Sequence, residues 1–228
     1  IRLSLVGSEM CIRDRLRTPV SVIRANSETL IDSALEDKKQ AKIFAKAILH
    51  NAERLTDMVS SLLDLSRIEY GELKLNFEEI DLNAFFENFI ESIINLSKKK
   101  DIDINYLPNH KGSVNADFQA IERIMNNLID NAIKYSEEGS EIKISTSNDG
   151  DDYIRVTVED TGEGISPEDQ DHIFSRFFRT ASARATDNQG SGLGLAIVKH
   201  LVNNLNGEVG IESKPQKGSI FWFTIPIF

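Results

Sequence analysis

The sequence predicts an α+β protein. It expects an N-terminal antiparallel helical hairpin, half of a dimeric four-helix bundle, followed by an α/β sandwich with a mixed, mostly antiparallel sheet. Three observations lead there. Between Leu16 and Arg67 apolar residues recur at steps of three, four or seven. Beyond Gly71, helical periods alternate with β-branched and aromatic runs. A chain of 228 residues, 40% hydrophobic and 27% charged, is long enough for two small domains with their own cores.

Residues 1–15, "IRLSLVGSEMCIRDR", show no apolar period. From Leu16 the residues Val20, Ile23, Leu30 and Ile31, then Phe44, Ile48, Leu55, Met58, Leu62 and Leu65, mark two amphipathic helices. The polar run "EDKKQ" at 36–40 is the expected turn between them. Two helices bury too little apolar surface alone, so residues 16–68 call for a second copy and a homodimeric bundle. Packing on the C-terminal domain is the other solution. Residues 69–80, containing "LKLNFEEIDL", read as a linker strand, and residues 81–228 as the second domain. There the pattern predicts helices at 82–97, 117–135 and 193–206, the last stopping at Gly207. It predicts strands in "EIKISTS", "YIRVTVED", "EVGIES" and "SIFWFTIPI". The connection 175–192 is long and rich in small polar residues, which suits a lid or a disordered loop.

A formal net charge of -10 argues against general attraction to nucleic acid or an anionic membrane, so any phosphate must be bound locally. The single cysteine, Cys11, excludes an internal disulfide framework and a multi-cysteine metal site, and suits a cytoplasmic setting. No stretch reaches the roughly 18 apolar residues of a membrane span. Membrane attachment would therefore come only through a part preceding residue 1.

Three segments can carry chemistry. In "DFQAIERIMNNLIDNAIKYS", Ile121, Ile124, Met125, Leu128 and Ala132 form a core stripe, with Asn127, Asn131 and Lys134 along its flank. Amide oxygens suit Mg²⁺ and an ammonium suits a phosphate, although a solvated helix face has the same composition. In "EDTGEGI", Asp160 ends a strand and is followed by Gly162 and Gly164. This is either an ordinary turn or a carboxylate placed to accept from a flat ligand's amino group, as adenine would offer. "NQGSGLGLAIVKHLVNNLNG" opens a glycine-rich loop into a helix whose N-terminus attracts anions. Leu195 stands where a dinucleotide fingerprint needs its last glycine, and no Gly-Lys-Ser/Thr follows, so neither of those two phosphate motifs applies.

In order, "NLIDNAIKY", "DTGEG", "IFSRFFR", "GSGLGLAIVK" and "KGSIFWFTIP" resemble the N, G1, F, G2 and G3 boxes of bacterial sensor histidine kinases. "LRTPVSVI" is similar to the end of their H-box, and "LLDLSRIEYGELKLNFEEIDL" to the second helix and linker of their phosphotransfer hairpin. The resemblance implies that Asn127 and Asn131 hold Mg²⁺, that Lys134 and Tyr135 flank ATP, and that Asp160 accepts from the adenine amine. Gly162, Gly164, Gly190, Gly192 and Gly194 let the chain approach the nucleotide, with Ile165, Leu193 and Leu195 beside them. Arg179, in the lid, steadies the γ-phosphate. Phe174 belongs to the nucleotide wall and, with Phe177 and Phe178, pins the lid. Ser219 and Thr224 either line the pocket or are ordinary strand residues. The catalytic set on this reading is Asn127, Lys134, Arg179 and Thr18. Thr18 stands where some families orient a water for dephosphorylation, and equally where a packing threonine would sit.

The family pattern S-H-E-L-R-T-P, aligned on Leu16 to Pro19, puts Asp14 at the acceptor histidine and Arg15 at the acid. Neither can replace its counterpart, since an acyl phosphate hydrolyses readily and a guanidinium takes no proton at pH 7. Residues 1–15 resemble adaptor-derived translations, and so read as foreign to the gene; a naturally degenerate kinase is the alternative. His50, His110, His172 and His200 lie outside any matching motif. The resemblance thus implies a kinase core with ATP and Mg²⁺ as ligands and a response regulator as partner. The other readings are an ATPase of the gyrase, Hsp90 and MutL group, which use a glutamate where Asn127 stands, and a nucleotide-binding scaffold without transfer.

Overall fold

The computed structural model describes residues 2–34, 37–69, 74–98, 100–186 and 190–228. They form two compact units, one from the described residues within 1–64 and 190–191, the other from those within 65–186 and 192–228.

The first unit consists of helix α1 (Arg2–Thr29), a π-helical turn (Leu30–Ala34) and most of helix α2 (Lys38–Glu69). Helix α1 thus begins well before Leu16. Leu, Arg, Glu and Met are good helix formers, so this backbone coils without an apolar stripe to announce it. Near the end of α1, Asn26, Ser27 and Thr29 each donate a side-chain hydrogen bond to the carbonyl four residues back. Such bonds compete with the helical ladder and accompany its loosening into the π turn. The expected turn at 36–40 is shorter than the sequence implied. Asp37 Oδ1 accepts from the Lys39 and Gln40 N–H groups at 2.8 and 3.3 Å, so α2 is already under way at Lys38. Residues 35 and 36 lie outside the described residues. Met58 and Leu65 are buried, whereas Val20 is 49% and Ile31 70% exposed, so part of the expected stripe faces outward in a single chain.

The second unit contains β1 (Glu78–Ile80), α3 (Leu82–Lys98), β2 (Asp103–Asn109), β3 (Val114–Ala116), α4 (Phe118–Tyr135), β4 (Glu141–Asp149) and β5 (Tyr153–Asp160). After these come α5 (Pro167–Gln170), α6 (Ala181–Thr186), α7 (Gly194–Asn204), β6 (Val209–Ser213) and β7 (Ser219–Pro226). The main sheet has the order β2-β4-β5-β7-β6, with β2 parallel to β4 and every other pair antiparallel. This is the mixed sheet expected. Ile142, Ile144, Ile154, Val156, Val158, Phe221, Phe223 and Ile225 alternate inward and are buried. The opposing layer comes from Ile121, Ile124, Met125 and Leu128 of α4 and from Ile197, Val198, Leu201 and Val202 of α7.

Two strands escape the alternation rule. Strand β2, "DINYLPN", is an edge with no fully buried position and a proline inside, and β3 has only three residues. Among its described residues the linker segment contributes only β1, paired antiparallel with β3. Asp117 caps α4 as its Oδ1 accepts from Ala120 N–H at 2.8 Å, while its Oδ2 accepts from Asn76 N–H at 2.7 Å. Helix α7 ends in a Schellman motif, with Gly207 N–H on the Val202 carbonyl at 2.9 Å and Asn206 N–H on Asn203 at 3.0 Å. The left-handed residue is Asn206, φ +60°, and not Gly207 as the sequence suggests. Gly207 is needed for space, since a Cβ there would overlap the Thr224 carbonyl. Gly207→Ala should therefore destabilise this unit by about 2 to 4 kcal/mol, read from urea unfolding followed by the fluorescence of the single tryptophan, Trp222.

Candidate functional site

Strand β5 ends at Asp160, directly opposite Ser219 at the start of β7. The Asp160 side chain is buried, 6% exposed, and its Oδ1 accepts from the Gly162 N–H at 2.9 Å and the Ser219 N–H at 3.3 Å. Among the described residues no donor reaches Oδ2. Burial pushes this carboxyl above the usual aspartate range, partly opposed by the two N–H bonds. Glycines let three backbone segments converge here. A Cβ on Gly162 would come within 3.0 Å of Asp160 Oδ1 and would overlap the Tyr135 carbonyl. Gly164, φ +68°, lies against the Lys214 carbonyl, and Gly218, φ +86°, against the Asp160 carbonyl. Ile165 N–H donates to Ser213 Oγ at 2.8 Å, and Ser213 Oγ lies 3.0 Å from Ser219 Oγ, so the predicted Ile165 and Ser219 share one hydroxyl-centred junction.

Helix α4 reaches this junction with its C-terminal end, where the Tyr135 carbonyl meets Gly162, and brings its polar edge to the start of α7. Asn127 Nδ2 donates to the Arg123 carbonyl at 2.8 Å, and a Cβ on Gly194 would stand 2.7 Å from Asn127 Oδ1. The amide oxygen and the start of α7 therefore face each other. Asn131 and Lys134 are half-buried on the same helix, and Lys134 Nζ lies 5.4 Å from the Tyr135 ring centroid. Leu193, fully buried, precedes α7 as its N-cap residue and makes no side-chain capping bond, and the N–H groups of the helix's first turn suit an anion. Leu195 is half-buried beside them.

The described part of the segment after α5 carries regular structure, and residues 187–189 of the expected lid lie outside the described residues. Phe177, φ +60° and 8% exposed, donates its N–H to the Gly192 carbonyl at 2.7 Å. Gly192, φ +72°, has no room for a Cβ against Phe177 and Phe178. Phe174 is half-buried, and Phe178 packs its ring 5.8 Å from His172. Short helix α6 follows, capped by Thr180 Oγ1 on the Ala183 N–H at 3.1 Å. Arg179 Nη2 donates to the Ala183 carbonyl, so the predicted lid arginine is engaged with α6.

Three predicted residues are not members of this group. Thr224 sits five positions along β7 from Ser219, opposite Arg155, where its hydroxyl accepts from Glu208 N–H at 2.8 Å. It serves the strand and is not brought to Asp160. Thr18, exposed on α1, and Gly190 belong to the first unit. Sequence reasoning passed over Ser213, and also Gln170, whose Nε2 donates to the Ile165 and Ser213 carbonyls at 2.9 and 3.0 Å. Neither lies in a recognisable pattern.

Residues 12–71 match the family model "His Kinase A (phospho-acceptor) domain", and residues 116–228 match "Histidine kinase-, DNA gyrase B-, and HSP90-like ATPase". The chain belongs to the histidine kinases. It is 37% identical over 215 residues to the sensor-like histidine kinase SenX3 of Mycobacterium tuberculosis, covering 94% of this chain and 52% of that protein. With the sensor histidine kinase WalK of Bacillus subtilis the identity is 32%, over 94% of this chain and 35% of that one. The chain thus spans about half, or less, of the length of these histidine kinases. Among solved structures, the Acinetobacter baumannii histidine kinase AdeS superposes with TM-score 0.75 and 28% identity, covering 93% of this chain and 96% of its own. The histidine kinase ThkA in complex with the response regulator protein TrrA gives TM-score 0.75 and 26% identity over 100% of this chain and 63% of that one. Among the described residues of this histidine kinase, no helix is long and apolar enough to cross a membrane.

The raised Asp160 carboxyl sets a sign for pH. The folded protein holds this proton more tightly than the unfolded chain, so wild-type stability relative to Asp160→Asn should fall as pH rises from about the ordinary aspartate value of 3.8. It should level off above the folded-state pKa. Urea unfolding at several pH values, beside a ¹³C titration of Asp160, measures both.

Proposed function

We propose that the second unit binds Mg-ATP at the junction of Asp160 with the polar edge of α4 and the start of α7, as the nucleotide site of a sensor kinase core. One observation supports it most: a buried carboxylate with one oxygen fully used by main-chain N–H groups and the other uncommitted among the described residues. That oxygen can accept from one exocyclic amine. The chain's residues fit the group, since glycines at 162, 164, 192 and 194 let the backbone segments around the carboxylate and the Asn127 amide pack closely together.

In this reading Asp160 Oδ2 orients the base and Gly162 keeps the Tyr135 end of α4 close to it. The Asn127 and Asn131 carbonyls would hold Mg²⁺, which when bound supplies charge neutralisation on the β- and γ-phosphate oxygens. Lys134 offers its ammonium to a phosphate oxygen, and the first-turn N–H groups of α7 offer theirs. Arg179 would have to exchange the Ala183 carbonyl for the γ-phosphate, so α6 moves when the lid engages. Phe177 and its bond to Gly192 hold the lid's base meanwhile. The natural reaction is transfer of the γ-phosphoryl to a histidine of a homodimer built on residues 16–68, then to a response regulator. Exposed Val20 and Ile31, in a segment matching the phospho-acceptor domain, favour a second copy there.

Asp14 takes the acceptor's place in this chain, so Mg-ATP binding without self-phosphorylation is expected. A non-catalytic scaffold would look the same, and rapid ATP hydrolysis would instead favour the gyrase and Hsp90 chemistry. In Asp160→Asn one amide oxygen must serve both main-chain N–H groups and the ligand, or its NH₂ must face a donor. ATP affinity should fall roughly tenfold to a hundredfold by calorimetry. Asp14→His with Arg15→Glu should incorporate label from γ-labelled ATP where the parent chain does not. Absence of label in the restored chain would count against residues 1–15 being a simple foreign end.

A further inference from the structure

We infer that Lys100, outside every recognised motif, is a positioning residue for the base-binding end of the site, because one ammonium holds the last turn of α4 against the Asp160 turn. The inference rests on the nucleotide site proposed above.

Lys100 is placed by its own backbone. Helix α3 closes in a Schellman motif, with Ile102 N–H on the Ser97 carbonyl at 3.1 Å, Asp101 N–H on Lys98 at 3.3 Å, and Asp101 left-handed at φ +53°. That geometry makes Lys100 the C-cap residue of α3. From there its Nζ donates to the carbonyls of Ile133 at 2.8 Å, Lys134 at 3.0 Å and Ser136 at 2.5 Å. An ammonium has three protons, and each finds a carbonyl at the end of α4. A cation at a helix C-terminus is also on the favoured side of the helix dipole.

The carbonyl left out of this set is that of Tyr135, and it is the one standing where a Gly162 side chain would begin. The four carbonyls from Ile133 to Ser136 are thus divided between Lys100 on one side and the glycine turn on the other. Ser136 reinforces the division, being 3% exposed with its N–H on the Ala132 carbonyl at 3.0 Å. Gly162, pressed by Tyr135, donates to Asp160 Oδ1 at 2.9 Å. A continuous run of contacts therefore joins Lys100 to the carboxylate proposed to read the base. Without the ammonium, the carbonyls of residues 133, 134 and 136 must recruit water, and the end of α4 is free to shift away from Gly162.

Lys100→Met keeps the aliphatic stem and removes the charge, whereas Lys100→Arg keeps the charge. Both are compared with wild type at a temperature where Trp222 fluorescence and circular dichroism show each folded. Expected are an approximately tenfold weaker Kd for Mg-ATP in Lys100→Met, a reduced preference for ATP over GTP, and a displaced Gly162 amide resonance in the ligand-free protein. Lys100→Arg should recover most of the affinity and preference. A folded Lys100→Met with unchanged ATP preference and an unmoved Gly162 resonance would overturn the inference, leaving Lys100 as a helix cap only. If wild type binds no Mg-ATP, the proposed site fails, and a Gly162 resonance that still moves in Lys100→Met separates that failure from failure of the Lys100 contact.

Discussion

A carboxylate removed from water next to two main-chain N–H groups is the constraint around which the second unit is organised. Burying Asp160 is unfavourable unless its charge is met by donors, and both donors come from backbone: Gly162 two residues on and Ser219 across the sheet. Backbone donors cannot swing aside as a lysine could. They fix the carboxylate against the strand register, and the pairing of Asp160 with Ser219 fixes the register of β5 on β7. The glycines at 162, 164 and 218 follow from the same crowding, since each stands where another segment's carbonyl leaves no room for a Cβ. The geometry of the proposed binding site and that of the sheet rest on the same set of hydrogen bonds.

The helices meet that junction in complementary ways. Helix α4 presents its C-terminal turn to the glycine turn and its amide-bearing edge to the start of α7. Helix α7 presents an N-terminus whose N-cap residue, Leu193, makes no side-chain capping bond. A negative ligand between them would face a positive helix end on one side and neutral amides with one ammonium on the other. The chain as a whole is acidic, so the attraction is confined to these groups.

Most of this was legible in sequence, for reasons that differ along the chain. Strands β4, β5 and β7 alternate cleanly because one face is covered and the other is not, and α4 shows its stripe for the same reason. Asp160 with its glycines was readable because backbone crowding admits few residue types there. Strand β2 was not, because an edge strand with a proline buries too little to impose a pattern. The start of α1 was missed since helix formation needs propensity and not amphipathicity. Thr224 looked like a site residue from its place in a matching segment, yet strand geometry carries it five positions from Asp160's partner. Ser213 and Lys100 act through contacts 48 and 33 to 36 residues away in the chain, which no local window contains.

The bond from Ser219 to Asp160 spans 59 residues, and β7 is made after every other strand of the sheet. During synthesis, then, the glycine turn and the amide helix emerge from the ribosome long before the donor that completes the carboxylate's shell. A nascent or prematurely terminated product would carry every recognisable motif but the last and still lack a finished pocket. Nucleotide capture at the proposed pocket would thus depend on β7 as much as on the motifs that precede it.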